Sequence, residues 1–379
     1  GLFGTVVLIV AAPALADFAL NFSSFEYFWL VLLGLTCAVF ISTGSPVKGL
    51  MMLFLGLLVA CVGLGNPAGF PRFTFGNTEM SGGIGMIAMM IGMFAISEII
   101  RYVVDTSPPA ELVVEEVGGV LKGQWALAKK YPKQILRGSV LGTTVGALPG
   151  AGADIAAWMS YAVSKKFSKE PEKFGTGHVE GIVESGSANN SALAGAWIPA
   201  LVFGIPGDSI TAIVIGVLYM KNMNPGPTLF TTNPQNIYAV FLLFIVANLI
   251  MIPLGILCIK VAKRILKVPR EILMPMILLF CVVGTFAINN SVFQIGVMLV
   301  AGILAYLLEA NKFPTAPASL GVVLGGMLEE NFITSMIKSN GDLTAFVARP
   351  IALSLAILTA LVWFAPLLLR MLRKPVPAS

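Results

Sequence analysis

Two short stretches of this chain set a backbone breaker beside an acid: Pro149-Gly150-Ala151-Gly152-Ala153-Asp154 and Ile205-Pro206-Gly207-Asp208-Ser209. Each interrupts an apolar run, Leu141 to Tyr161 and Ala192 to Tyr219. A proline inside a helix removes one donor and frees the carbonyl a turn back, and a neighbouring glycine lets the backbone turn or approach a ligand. In hydrocarbon every N–H and C=O needs an internal partner, so such breaks persist only where protein buries them or they line a wet cavity. The dipoles they expose suit ions. Helix N-termini beginning after Gly152 and Gly207 offer N–H groups to an anion such as a carboxylate. Freed carbonyls, with the carboxylates of Asp154 and Asp208, suit Na⁺ or a proton, since hard cations take oxygen ligands.

Around these breaks lie small polar groups. Ser187, Asn189 and Asn190 head the second segment and can both donate to and accept from a carboxylate, while Ser209 and Thr211 add hydroxyls just past the second break. The substrate-binding set is therefore Pro149, Gly150, Gly152, Ser187, Asn189, Asn190, Pro206, Gly207 and Ser209, and the ion-coupling set is Asp154, Asp208 and Thr211. The structural alternatives are a pair of kinks with Asp as N-cap, helix capping by the Ser and Asn group, and back-bonding by Ser209 and Thr211. Two acids at membrane depth, each beside a Pro-Gly pair, favour function, because intramembrane acids are rare.

Other chemistries find no footing. The chain has no GxxxxGK[ST] loop, no HExxH and no GxSxG, so neither an ATPase engine nor a catalytic pair is encoded and the protein is not read as an enzyme. Cys37, Cys61, Cys258 and Cys281 sit in apolar runs without CxxC spacing, as reduced packing residues rather than a metal site. The single histidine, His178, lies in a polar stretch and reads as a surface residue. No cofactor is implied beyond Na⁺ or H⁺ as coupling ion, so energy comes from an ion gradient or a partner.

The elements that must hold the breaks follow from composition. With 57% hydrophobic and 11% charged residues in 379, against about 25% charged in soluble proteins, the chain is a multi-pass membrane protein embedded in a lipid bilayer. Apolar runs at 3–20, 27–43, 47–64, 82–104, 236–260, 271–289, 291–309, 314–328 and 350–369 include several near the roughly 20 residues of a spanning helix. The net charge of +5 is carried by clusters around Lys129–Arg137, Lys165–Lys173, Lys260–Arg270 and Arg370–Lys374. Each abuts an apolar run, which marks cytoplasmic loops and not a nucleic-acid surface. The loops at 224–236, 289–290 and 331–349 then lie outside. The 138–163 segment, divided at Pro149-Gly150 and basic on both sides, reads as a re-entrant hairpin from the cytoplasm. Residues 188–222 cross once, as two helical pieces joined at 205–207.

The expected fold is all-α, a polytopic transporter built of two repeats with a re-entrant hairpin and broken helices. Residues 1–104 form a first half of transmembrane helices, 105–134 a polar connecting loop, and 135–379 a second half carrying the Pro-Gly motifs. A faint internal symmetry supports two repeats: Leu55-Gly56 matches Leu324-Gly325, each after a helix with a central glycine, Gly34 and Gly302. Gly1-Leu2-Phe3-Gly4 reads as the interior of a membrane segment, so further sequence is expected upstream, with the first half's own Pro-Gly break.

The run Gly142-Thr-Thr-Val-Gly146-Ala-Leu-Pro149-Gly150-Ala-Gly152, followed by Lys169-Glu-Pro-Glu-Lys-Phe174-Gly175, Glu180-Gly181, Asn189-Asn190, Ile198-Pro199, Gly204-Ile205-Pro206-Gly207 and Asn224-Pro225-Gly226-Pro227, resembles the large membrane subunit of the tripartite tricarboxylate transporters. Glu26-Tyr27, Arg72-Phe-Thr-Phe75-Gly76, Ser97-Glu98 and Leu328-Glu329-Glu330-Asn331-Phe332 extend the likeness over essentially the whole chain. The resemblance implies a secondary transporter of the bacterial inner membrane, driven by Na⁺ or H⁺. It would import organic carboxylates handed over by a periplasmic solute-binding protein, with a small membrane subunit as partner. A channel-like or structural membrane subunit without ion coupling is the alternative. Two features depart from the family pattern: the acid before Asn189-Asn190 is Glu184, and Asp154 and Asp208 stand where small neutral residues are common. Two extra acids repel a trianion unless a cation lies between, which favours a smaller mono- or dicarboxylate or a more cation-rich site.

Overall fold

The computed structural model describes residues 1–41, 45–64, 70–104, 123–149, 152–265 and 270–372. Gly150, most of the expected connecting loop (105–122), and Lys267, Arg373 and Lys374 of the basic clusters lie outside the described residues. Within them the fold is all-α. The main helices are α1 (Leu2–Ala19), α2 (Ser24–Ile41), α3 (Pro46–Ala60) and α4 (Met86–Val104), the last containing one wide π-type turn at Gly92–Ile96. They continue with α5 (Pro132–Gly146), α6 (Gly152–Phe167), α7 (Val179–Phe203) and α8 (Ser209–Met220). The chain then runs through α9 (Pro234–Ile265), α10 (Arg270–Asn289), α11 (Val292–Ala310), α12 (Ala316–Lys338) and α13 (Pro350–Leu372). Six of these, α1, α4, α9, α10, α11 and α12, contain spans long and apolar enough to cross a membrane.

Prolines in the first turn start α3, α5 and α12, where the missing N–H costs nothing. Gly204, at φ 68°, stops α7, because a left-handed C-terminal residue favours glycine.

Packing in lipid draws little from the hydrophobic effect and relies on close approach of small residues. That is how α5 meets α7. Gly138, Gly142 and Gly146 recur every fourth residue on one face of α5, and a Cβ added at them would lie 2.4, 2.2 and 2.1 Å from the carbonyl oxygens of Glu184, Ala188 and Ala192. The contact is clamped at one end by Arg137, whose Nε and Nη2 donate to the two oxygens of fully buried Glu184 at 2.6 and 2.5 Å. On its other side α7 meets α1, with Ile198, Leu201 and Val202 in one cluster with Leu8, Ala12 and Ala16. By contrast, only 6% of the apolar windows of α9 and α10 is buried, so these two helices turn apolar faces outward, as lipid contact requires.

The other helices form two similar triplets, α2-α3-α4 and α11-α12-α13. In each, the first helix packs on the last helix of the other triplet, α2 on α13 and α11 on α4. The triplets join through α3 and α12, where Gly56, Gly321 and Gly325 bring the backbones together. Lys48 near the start of α3 donates to Asn311 O at 2.7 Å, and Arg72 beyond its end pairs with Glu329 in two bonds of 2.6 and 2.7 Å. The two helices therefore run in the same direction. The symmetry extends to the corners. Ser23 and Glu26 open α2 as Ser291 and Gln294 open α11. Glu26 Oε2 accepts from Arg349, the residue before α13, and Gln294 Oε1 accepts from the N–H of Gly85, the residue before α4.

Candidate functional site

Both interruptions lie where expected along the chain, but they are built differently. α5 ends at Gly146, α6 begins at Gly152 with φ +65°, and the short connection between them lets the two helices form a hairpin. The second interruption doubles back. α7 continues to Phe203, yet Gly207 lies against Ala196: a Cβ there would sit 2.6 Å from Ala196 Cβ and 2.8 Å from Gly146 O. From that point α8 sets off anew. The chain over 204–208 is thus a return strap laid along the last turns of α7, rather than a kink in one continuing helix.

The strap brings the two interruptions together. A Cβ at Gly152 would lie 3.6 Å from Asp208 Cβ, and one at Gly34 in α2 would lie 3.1 Å from Pro149 Cβ and 3.5 Å from Ile205 Cγ2. The N-terminus of α6 and that of α8 therefore converge. They border a cavity of about 400 Å³ whose polar wall is formed by Gly152, Asp154, Asn189 and Asp208. The facing wall comes from α4 and α12, with Met90, Phe94, Ser319, Leu320 and Val323.

Within this site the two acids are held differently. Asp208 caps α8: its Oδ1 accepts from Thr211 N at 2.8 Å, and Thr211 Oγ1 accepts from Asp208 N at 3.0 Å, a reciprocal capping box. Asp208 Oδ2 has no partner among the described residues. Asp154 lies in the first turn of α6, is exposed, and its carboxylate has no hydrogen bond or ion pair among the described residues. Both helix starts carry N–H groups without intrahelical partners and a partial positive charge. Acids and positive dipole ends thus share one cavity, an arrangement able to hold an anion and a cation side by side.

The remaining sequence candidates divide. Ser187, Asn189 and Asn190 do not head a helix, because α7 starts at Val179 and puts them in mid-helix. Only Asn189 of these three lines the cavity. Ser187 Oγ donates back to Val183 O at 2.7 Å, and Asn190 Nδ2 faces Met251 Sδ of α9 at 3.8 Å. Thr211 is fully buried in the capping box. Pro149, Pro206 and Gly207 shape the backbone behind the cavity. Gly150 and the side chain of Ser209 lie outside the described residues. Ser319, whose Oγ donates to Ala316 O at 2.8 Å, is a polar lining group that sequence reading passed over. It sits three residues inside α12 after Ala316-Pro317, a helix-start signal from which its position on the first turn can be read.

A protein of Agrobacterium vitis described as an uncharacterized 52.8 kDa protein in the TAR-I ttuC' 3' region is 36% identical over 358 residues, 94% of this chain and 70% of that protein. A second from the same organism, described as an uncharacterized protein in the TAR-II ttuC' 3' region, is 38% identical over 214 residues, 56% of this chain and 88% of that protein. No solved structure matches the chain. Residues 1–320 match the Tripartite tricarboxylate transporter TctA family, a span that takes in the α5–α6 hairpin, the return strap and every named cavity-lining residue except Val323. The chain belongs to that transporter family.

Proposed function

We propose that the protein is the large membrane subunit of a secondary transporter that imports organic carboxylates across the bacterial inner membrane. The uptake is driven by a Na⁺ or H⁺ gradient. A small membrane subunit completes the membrane part, and a periplasmic solute-binding protein delivers the substrate. The observation that carries this reading is the convergence of the α6 and α8 N-termini on a cavity that also holds Asp154 and Asp208.

The substrate carboxylate is placed at the N–H groups of the two helix starts that the Asp208 cap leaves open, where the partial positive charge of the helix ends meets it. The coupling cation is placed at Asp154 and the free oxygen of Asp208. Each ligand lowers the electrostatic cost of the other, which is the physical basis of coupling. The lengths of α5 and α6, 15 and 16 residues, correspond to about 22–24 Å at 1.5 Å per residue, short of the roughly 30 Å hydrocarbon core. This supports a re-entrant hairpin whose turn stops at depth beside the cavity, with Lys133, Lys165 and Lys166 at its cytoplasmic base.

The test is uptake of a panel of carboxylates into proteoliposomes holding the complete complex, with Na⁺ and pH gradients imposed separately. Saturable uptake that follows one gradient is the expected result. Flux that neither saturates nor responds to either gradient would instead mark a channel-like subunit.

A further inference from the structure

The two walls of the cavity differ in kind, and the difference bears on which carboxylate fits. No Lys, Arg or His lines the cavity among the described residues. Its charged side chains are both acids, and its positive field comes only from two helix starts, each worth about half an elementary charge. Together these offset about one of the two negative charges of Asp154 and Asp208, so the first substrate carboxylate already calls for a coupling cation. Every further carboxylate on a substrate would face Asp154 and Asp208 with nothing but additional cations to neutralise it.

The opposite wall is apolar and rigidly placed. Phe94 lies inside the π-type turn of α4, a form of turn found frequently at functional sites. That turn is pinned from behind. A Cβ on Gly92 would lie 2.2 Å from Met298 O, and one on Gly302 would lie 2.4 Å from Ile96 Cγ2, so α4 and α11 touch backbone to backbone there. Phe94 is nonetheless 40% exposed, so the turn presents the ring to the cavity instead of burying it in the α4–α11 contact. Leu320 and Val323 of α12 extend the same surface, and Ile155 and Ile210 carry it round to the polar side. Pockets of this size, lined largely by apolar groups with a few placed polar ones, take ligands with an apolar body and one oriented polar end.

Resting on the carboxylate-transport reading above, we infer that the cavity selects a monocarboxylate with an apolar body, a ring or a branched chain. The carboxylate points at the starts of α6 and α8, and the apolar body packs on Phe94, Leu320 and Val323. Phe94 is the specificity-determining residue. Tricarboxylates are excluded by charge, and dicarboxylates are disfavoured.

The purified full-length protein in detergent tests this through ligand-dependent thermal stabilisation, with phenylacetate, succinate and citrate as probes, in sodium chloride and again at acid pH. Phenylacetate should protect at a concentration on the order of tenfold below succinate, and citrate should not protect. Phe94→Ser should weaken phenylacetate by about tenfold and leave the apparent affinity for succinate unchanged. Should that variant fail to fold, Val323→Thr, which keeps shape on the same wall, should shift the preference in the same direction. Protection by citrate or succinate at lower concentration than phenylacetate overturns the inference and leaves carboxylate transport standing, as does a Phe94→Ser protein with unchanged phenylacetate affinity. Absence of protection by any of the three, in either condition, overturns both readings.

Discussion

The starts of α6 and α8 follow the same sequence pattern, a Pro-Gly pair and then an acid, yet they are physically different ends. At α8 the acid comes directly after the glycine and occupies the N-cap, where it and Thr211 satisfy each other. At α6 the acid comes four residues after Gly150, so it falls inside the first helical turn, exposed at the cavity and without a protein partner among the described residues. A carboxylate at an N-cap is engaged by its own helix, whereas one in the first turn is stabilised by the dipole but remains available. Of the two explanations that compete for both acids in the sequence, the structure shows capping at Asp208 alone. Asp208 is engaged in capping, and Asp154 has the carboxylate left open for the ion-coupling role proposed above.

The comparison holds only while both helix starts stay together, and that rests on the contact between α5 and α7. The largest expected effect is therefore on the clamp. Arg137→Met leaves the wholly buried Glu184 carboxylate without its two charge-assisted bonds and should cost about 3 kcal/mol, the lower end for a broken buried pair. Arg137→Met with Glu184→Leu should recover most of that loss, measured by thermal unfolding in detergent. Next in size, Gly146→Ala drives a methyl to within 2.1 Å of Ala192 O and should cost about 1–3 kcal/mol by overpacking. Because Gly146 O also faces Gly207, this variant should lower uptake at both gradients together, not one selectively.

A smaller pair of effects separates the two acids directly. Asp208→Ala removes the cap of α8 and should destabilise by about 1 kcal/mol, along with a change in transport. Asp154→Ala should leave the unfolding temperature unchanged and abolish gradient-dependent uptake. Equal loss of stability in the two variants would erase the distinction drawn here.

Much of this was legible before the fold. The apolar runs and the actual helices agree closely, because hydrocarbon admits only helices with continuous apolar surface. The breaks could be placed because Pro-Gly in such a run has few other meanings. What escaped depends on phase and on distance. Taking the second segment to begin near Ser187 made Asn189 and Asn190 equivalent. Once α7 is known to start at Val179, adjacent residues point about 100° apart, and only one of them reaches the cavity. The stripe Gly138, Gly142, Gly146 was in view as part of a family motif, but its fourfold spacing is the mark of close helix contact. The Ser-x-x-Glu and Ser-x-x-Gln starts of α2 and α11, Ser23 to Glu26 and Ser291 to Gln294, are a firmer sign of the repeat than the paired glycines. Phe94 and Ser319 could not be assigned to the site, since nothing local ties α4 to breaks at Pro149 and Pro206 far along the chain, or ties α12 to breaks more than a hundred residues before it.

The most discriminating substitution is one that keeps the cap and removes only the charge. Asn is as good an N-cap as Asp, and its side-chain oxygen can take the place of Oδ1 opposite Thr211 N. Asp208→Asn should therefore keep the α8 start within a few tenths of a kcal/mol of the parent while replacing the unpartnered Oδ2 with an uncharged amide. Stability and transport are then measured on separate axes. If Asp208 serves the helix alone, uptake by Asp208→Asn keeps its parental dependence on the driving ion. If its second oxygen also takes part in holding the cation, the concentration of that ion needed for half-maximal uptake rises severalfold with no change in unfolding temperature. The second result is the one expected here, because capping engages only Oδ1 and leaves Oδ2 without a partner among the described residues, on a residue that lines the same cavity as Asp154. Asp154→Asn should produce the larger rise of the two, and a reversal of that order would assign the freer role to the capping acid.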